Sequence, residues 1–169
     1  MTYEIIMMCG IPASGKSYWA NKQAEKYLKN GKTAVVISRD DCRKELVGEN
    51  PSSDEYFSRE KEVFGNFIGK INTAIHDGVN YIFVDATHVS HASRHKLLSR
   101  IEIEGNIMLR VVVMLTSYSN AIRRNGARSG FACVPNSAIA SMLDNFSYPT
   151  VHELIGYGFR AVLIERYEN

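Results

Sequence analysis

Residues 10–17 read Gly-Ile-Pro-Ala-Ser-Gly-Lys-Ser and fit the spacing G-x-x-x-x-G-K-[ST]. An apolar run, YEIIMMC at 3–9, precedes them, and a helix-compatible stretch at 16–29 follows. This succession of strand, glycine-containing turn and helix constrains the chain more than any other feature. Backbone N–H groups of such a turn point inward around phosphate oxygens, and the helix N-terminus adds a favourable dipole. Gly10, Ala13, Ser14, Gly15, Lys16 and Ser17 are therefore the expected nucleotide cradle. Lys16 can reach the β- and γ-phosphates, and the Ser17 hydroxyl can ligate Mg2+. ATP and Mg2+ are the expected ligands.

Four further apolar runs follow: TAVVIS (33–38), YIFVDA (81–86), IMLRVVVMLT (107–116) and FRAVLIER (159–166). Near-continuous hydrophobicity of this kind predicts strands covered on both faces. Helix-like stretches at 16–29, 41–47, 57–76, 90–104, 118–127 and 135–145 alternate with them. Such alternation predicts parallel βαβ units. The expected fold class is α/β: a three-layer P-loop NTPase fold with a five-stranded parallel sheet and a helical lid at about 119–135. At 169 residues the chain is expected to be one domain. The polar stretch GENPSSDEY (48–56) reads as a loop.

Composition excludes little. Apolar residues make up 45% of the chain and the formal net charge is +2, so global charge makes no case for nucleic acid. No apolar run is long enough to span a bilayer. Cys9, Cys42 and Cys133 share no C-x-x-C spacing, which predicts reduced thiols and a cytoplasmic protein with no membrane contact.

Three stretches outside the cradle carry candidate chemistry. VVISRDDCRKEL places Arg39, Asp40, Asp41 and Arg43 at the C-terminal edge of the second strand, where open α/β sheets bind ligands. A carboxylate there can accept the proton of a hydroxyl attacking the γ-phosphorus. Asp40 is the expected base. Asp41 reads more readily as a helix cap, a role also open to Asp40. Arg43, one helical turn on, can hold an anionic group beside the hydroxyl. In SNAIRRNGARSGFACVP (119–135), Arg124 and Arg128 are four residues apart and share a helix face, whereas Arg123 points elsewhere. That pair reads as a lid over the triphosphate, with either arginine able to neutralise charge on the transferring oxygens. In YIFVDATHVSHASR (81–94), Asp85 ends a buried strand as a Mg2+-associated acid would, and Thr87 and His88 open the loop beside the acceptor. His88, His91 and His95 have metal-compatible spacing, but no neighbouring cysteine or carboxylate completes a set.

Taken together, GIPASGKSYWA, SRDDCRKEL, VDATHVSHASR and RRNGARSGFACVP…IASM resemble, in order and over nearly the whole chain, the 5′-hydroxyl kinase domain of the phage-type polynucleotide kinases. The resemblance implies that Lys16 and Ser17 bind ATP and Mg2+, and that Asp40 is the general base on a 5′-hydroxyl. It further implies that Arg43 contacts the phosphate 3′ to that hydroxyl, that Arg128 acts from the lid on the donor phosphates, and that Asp85 matches a family acid. Two departures stand out. The Asp-x-Asp-Gly-Thr motif of the associated phosphatase domain does not occur, so 3′-phosphate removal is not expected from this chain. The lid loop RSGFACVP is also one residue longer than the family pattern.

Charge is unevenly spread. Arg94, Lys96, Arg100, Arg110, Arg123, Arg124 and Arg128 lie between residues 92 and 130, against only Glu102 and Glu104. With several of these cations serving ATP, contact with one or a few nucleotides at a strand end is expected. Tyr56, Phe57 and Phe131 are candidate stacking residues. A kinase of a small-molecule hydroxyl (nucleoside, nucleotide, sugar, antibiotic or nucleotide sugar as in zeta-type toxins) would use the same cradle, base and lid. A nucleotide-binding module without transfer would leave Asp40 and the arginine pair without work.

Overall fold

The computed structural model describes residues 3–49, 51–103 and 105–168, with the side chains of Ser53 and Phe131 outside that description. The expected stacking role of Phe131 and the acid at 104 therefore fall outside the described residues. Five strands form one all-parallel sheet: β1 (Tyr3–Cys9), β2 (Ala34–Ser38), β3 (Tyr81–Asp85), β4 (Ile107–Leu115) and β5 (Ala161–Glu168). Their spatial order is β2-β3-β1-β4-β5. The chain leaves β1 in one direction, to β2 and back to β3, and later continues on the other side through β4. That reversal opens a crevice at the carboxyl end of β1, where such sheets bind ligands.

Helices α1 (Lys16–Lys29), α2 (Arg39–Val47), α3 (Ser53–Ser58), α4 (Glu60–His76), α5 (His91–Leu98), α6 (Tyr118–Asn125), α7 (Asn136–Asp144) and α8 (Val151–Leu154) connect or follow the strands. The α4 sequence buries Val63, Phe64, Phe67, Ile68, Ile71, Ala74 and Ile75. These recur at the three- and four-residue spacing of a single helical face. They pack with Ile5, Met7, Val84, Leu109 and Val111 on one side of the sheet, joined by Leu97 and Leu98 of α5 and Leu154 of α8. On the other side Ile6, Met8, Phe83, Val112 and Met114 meet Ala20 and Ala24, flanked by Trp19 and Tyr27, so the helical share of that cluster comes from α1 alone.

This asymmetry corrects one expectation. The β5 strand is not covered on both faces: Leu163 and Tyr167, in register with Arg110 and Met114, are 41% and 38% exposed. Helix α1 lies mainly over β2 and β3, toward the sheet edge opposite β5, and its Trp19 reaches Tyr167 with ring centroids 5.3 Å apart. On the same face Arg110 pairs with buried Glu4 and lies 3.5 Å from Glu165, tying β1, β4 and β5 together.

Several boundaries also differ, and the helix expected at 57–76 is broken at Arg59 between α3 and α4. Helix α2 begins at Arg39, because the Ser38 hydroxyl accepts from the backbone N–H of Asp41 and takes the cap expected of an aspartate. The stretch read as a loop at 48–56 contains the start of α3, which opens on a reciprocal capping box between Ser52 and Glu55. The helix expected to run to 104 ends at Leu98.

A third apolar cluster joins Ile11 and Val89 to Ala121 and Ile139, with Val134 and Met142 packed against it. It seats α6 and α7 directly on the turn after β1.

Candidate functional site

The cradle is shaped by backbone conformations that few residues tolerate. A Cβ on Gly10 would lie 2.6 Å from the Met114 carbonyl oxygen and 2.8 Å from Ser14 Oγ, so only glycine fits. Ala13 (φ 61°) and Gly15 (φ 92°) both adopt the left-handed region, turning successive N–H groups inward as in an anion-binding nest. The Gly10 N–H donates to the Thr87 carbonyl at 2.8 Å, clipping the cradle to the loop after β3. Lys16 arches over the turn, its Nζ donating to the Ile11 carbonyl at 2.7 Å. Burial lowers the Lys16 amine to about 8, against the opposing pull of Asp85.

Asp85 ends β3 and is 5% exposed. Burial pushes its carboxyl up, while the Ser17 hydrogen bond and the Lys16 charge pull it down. Ser17 and Asp85 thus present two adjacent hard oxygens beside the cradle, a donor set suited to Mg2+.

Asp40 stands on the first turn of α2 with its side chain 84% exposed, and Arg43 Nη1 donates to its Oδ1 at 2.9 Å. Helix α2 opens directly after β2, whose last residue Ser38 is in register with Asp85, so Asp40 starts from the same sheet edge as the cradle. Arg43 is itself held: Nη2 donates to Glu60 Oε2 at 2.6 Å, and the guanidinium lies 4.6 Å from the Tyr56 ring centre. The other Glu60 oxygen accepts from Arg39. Burial alone would raise the Glu60 carboxyl, but the Arg43 hydrogen bond and the Arg39 and Arg43 charges hold it below the usual carboxylate range. Tyr56, expected as a stacking residue for a base, instead faces the Arg43 guanidinium, and Glu60 went unnoticed in the sequence because it lies on another element, beyond a polar stretch.

Two further arginines stand on α6 and in the loop beyond it. Arg124 Nη1 lies 3.5 Å from the Ala13 carbonyl oxygen. Arg128 is exposed, and its charge depresses the Lys16 amine. Between them Asn125, 1% exposed, clamps the returning chain: its Nδ2 donates to the Val134 carbonyl at 2.7 Å and its Oδ1 accepts the Val134 N–H at 3.0 Å. An asparagine directly before Gly126, with Val-Pro at 134–135, is the sequence signal for this clamp.

Two expected placements are corrected. His88 does not face an acceptor. Its ring is buried with Nδ1 2.8 Å from the Met8 carbonyl, and burial pushes it down to about 4. A carbonyl only accepts, so Nδ1 carries the proton of a neutral ring. Nor is Arg94 part of a basic surface. It is fully buried, bidentate to Glu153 at 2.7 and 3.0 Å, and it donates to the carbonyls of His88 and Ser147. Thr87 is half-buried and enters the site through its backbone.

Removing Arg94 would leave Glu153 buried without its counter-charge. Arg94→Ala is therefore expected to destabilise the fold by about 3 kcal/mol, whereas replacing both partners by Met should recover most of the loss. Urea midpoints check this, and an unchanged R94A midpoint would contradict it.

His91 and His95 are exposed on α5. Their rings lie 6.3 Å apart, and His95 Nδ1 is 2.6 Å from the Tyr157 hydroxyl. Among the described residues no group of three His, Cys, Asp or Glu could hold a metal ion, and no helix is long and apolar enough to cross a membrane. Cys9, Cys42 and Cys133 are free thiols. A groove of about 620 Å3 lies on the far face of α2, lined by Val35, Ile37, Cys42, Glu45 and Lys70, away from Asp40 and Arg43.

The parallel sheet, the cradle at its switch point and the α6–α7 lid define a P-loop, kinase-like α/β domain. The sequence agrees: the profile of the AAA domain family matches residues 5–149, and the chain belongs to that family. No curated protein matches the sequence. Among solved structures, a chain of the Pnkp1/Rnl/Hen1 RNA repair complex is similar with a TM-score of 0.68 and 21% identity, over 92% of this chain and 47% of that one. An unliganded sugar kinase from Janibacter sp. HTCC2649 is similar with a TM-score of 0.57 and 14% identity, over 98% of this chain and 86% of that one. At these identities the likeness is one of fold.

Proposed function

We propose that this chain transfers the γ-phosphate of ATP to the 5′-hydroxyl end of a DNA or RNA strand. The observation that carries the reading is the exposed Asp40 carboxylate, steadied by Arg43 at the sheet edge where Ser38 and Asp85 end their strands in register. The acceptor hydroxyl loses its proton to Asp40 as its oxygen bonds to the γ-phosphorus. The bond from that phosphorus to the β–γ bridging oxygen breaks, and ADP leaves. Lys16, Arg124 and Arg128 surround the phosphates with positive charge that needs no reorganisation at the moment of transfer. A Mg2+ ion at the Ser17 and Asp85 oxygens would supply further neutralisation of the phosphates. Arg43, held against Tyr56 by Glu60, is set to meet the phosphate 3′ to the acceptor hydroxyl. The similarity to a chain of an RNA repair complex supports the choice of acceptor.

One observation favours a second reading, transfer to a small-molecule hydroxyl. Arg43 is already engaged by two carboxylates, Asp40 and Glu60, and a sugar kinase is also among the similar structures. Incubation with γ-labelled ATP, a short 5′-hydroxyl oligonucleotide and a panel of nucleosides and sugars separates the two. Label on the oligonucleotide end is expected, and label on the small molecules alone would overturn the polynucleotide reading. Arg43→Ala is expected to raise KM about tenfold more for acceptors bearing a 3′-phosphate than for nucleosides lacking one. Equal losses would favour the small-molecule acceptor.

A further inference from the structure

We infer that Arg39, Lys96 and Arg100, gathered around Phe64, form a phosphate track that carries the acceptor strand away from Asp40, so that the preferred acceptor is a polymer several nucleotides long. The inference rests on the polynucleotide reading above and adds to it a surface on which the strand beyond its first nucleotide lies.

Phe64, in the second turn of α4, is 7% exposed. Three cations from two segments, α2 and the C-terminal end of α5, converge on its ring: Lys96 Nζ at 4.5 Å, Arg39 Cζ at 5.5 Å and Arg100 Cζ at 5.9 Å from the centroid. Each is attracted to the ring singly, and the long stems of Lys96 and Arg100 can cover apolar surface with their heads in water. Three like charges on one ring nevertheless repel one another, and packing a phenylalanine requires none of them. Glu60 is the acid that offsets this charge, and it pairs only with Arg39 of the three while serving Arg43 as well. Lys96 and Arg100 are both exposed, and among the described residues neither has an ion pair or a side-chain hydrogen bond. The contrast with their neighbours is informative: Arg94 and Arg110 of the same basic half are tied to Glu153 and Glu4.

The cluster is contiguous with the acceptor site through direct contacts. Asp40 pairs with Arg43, Arg43 shares Glu60 with Arg39, and Arg39 lies over Phe64 beside Lys96 and Arg100. A strand whose 5′ end sits at Asp40 and whose first 3′-phosphate meets Arg43 therefore has cations ahead of it for the following phosphates. Near the start of that path Phe57 is 69% exposed, 5.1 Å from Tyr56, and offers a face for an unpaired base. Cations on phosphates with stacking on aromatic faces are the usual elements of sequence-independent single-strand binding.

The test uses the full chain and a K96A/R100A double variant. The acceptors are a 5′-hydroxyl dinucleotide and an oligomer of roughly ten nucleotides. In the variant, KM for the oligomer is expected to rise about tenfold more than KM for the dinucleotide. The salt dependence of oligomer binding, read by fluorescence anisotropy, should flatten by about 1.4 in slope for two lost phosphate contacts. Equal changes for the two acceptors, or no change for either with the slope unaltered, would overturn the track while leaving the kinase reading standing if wild type labels both. Failure of wild type to label either acceptor would remove the kinase reading and the track with it.

Discussion

Arg128→Ala is expected to lower kcat by about 10³, the effect of removing an arginine that stabilises charge on a transferring phosphoryl group. Two observations make the expectation specific to this residue. Arg128 is exposed in the loop four residues beyond Arg124, whose Nη1 lies 3.5 Å from the Ala13 carbonyl oxygen of the cradle. It also lies just beyond Asn125, whose two hydrogen bonds to Val134 fix the base of its loop. Because the lid is seated through Ala121 and Ile139, away from the Arg128 side chain, the substitution should leave the thermal midpoint close to that of wild type. Single-turnover measurement at saturating ATP and acceptor gives the chemical rate directly. A rate within about twofold of wild type would remove Arg128 from the mechanism.

Asp40→Asn is expected to cost a similar factor, about 10³ in kcat, because an amide cannot take the acceptor proton. The side chain is 84% exposed and pairs with Arg43, so the isosteric change disturbs little packing. ATP affinity should stay within about twofold, since the base acts on the acceptor and not on the nucleotide. Titration with a fluorescent ATP analogue checks this. Loss of nucleotide binding alongside the loss of transfer would assign Asp40 to the donor side instead. The rate on an acceptor with a more acidic hydroxyl should fall less, because less proton transfer remains to be assisted.

Much of the fold was legible because it depends on local pattern. All five strands read as β-branched apolar runs, and α1 follows a cradle whose spacing is restrictive. The misreadings have a common physical origin in partners remote along the chain. Whether β5 is covered on both faces depends on where α1 comes to rest, which its own residues do not state. His88 reads as a loop residue and Arg94 as one cation of a basic half until Met8, Ser147 and Glu153 are brought against them. Glu60 was invisible as a site residue for the same reason: its partners Arg39 and Arg43 are 21 and 17 positions away. The α2 boundary failed differently. Ser38, Asp40 and Asp41 are all competent caps, and strand β2 ends so that the serine comes first.

The Asn125–Val134 clamp has a consequence for how this region can vary between relatives. By joining the two ends of the intervening segment through a side-chain amide, it makes their separation independent of the contour between them. A single residue added to the segment between them would be absorbed as slack within a closed ring, at an entropic cost of only about 0.1 kcal/mol. Insertions and deletions at the tip should accordingly be tolerated far more readily than any replacement of the asparagine that fastens it.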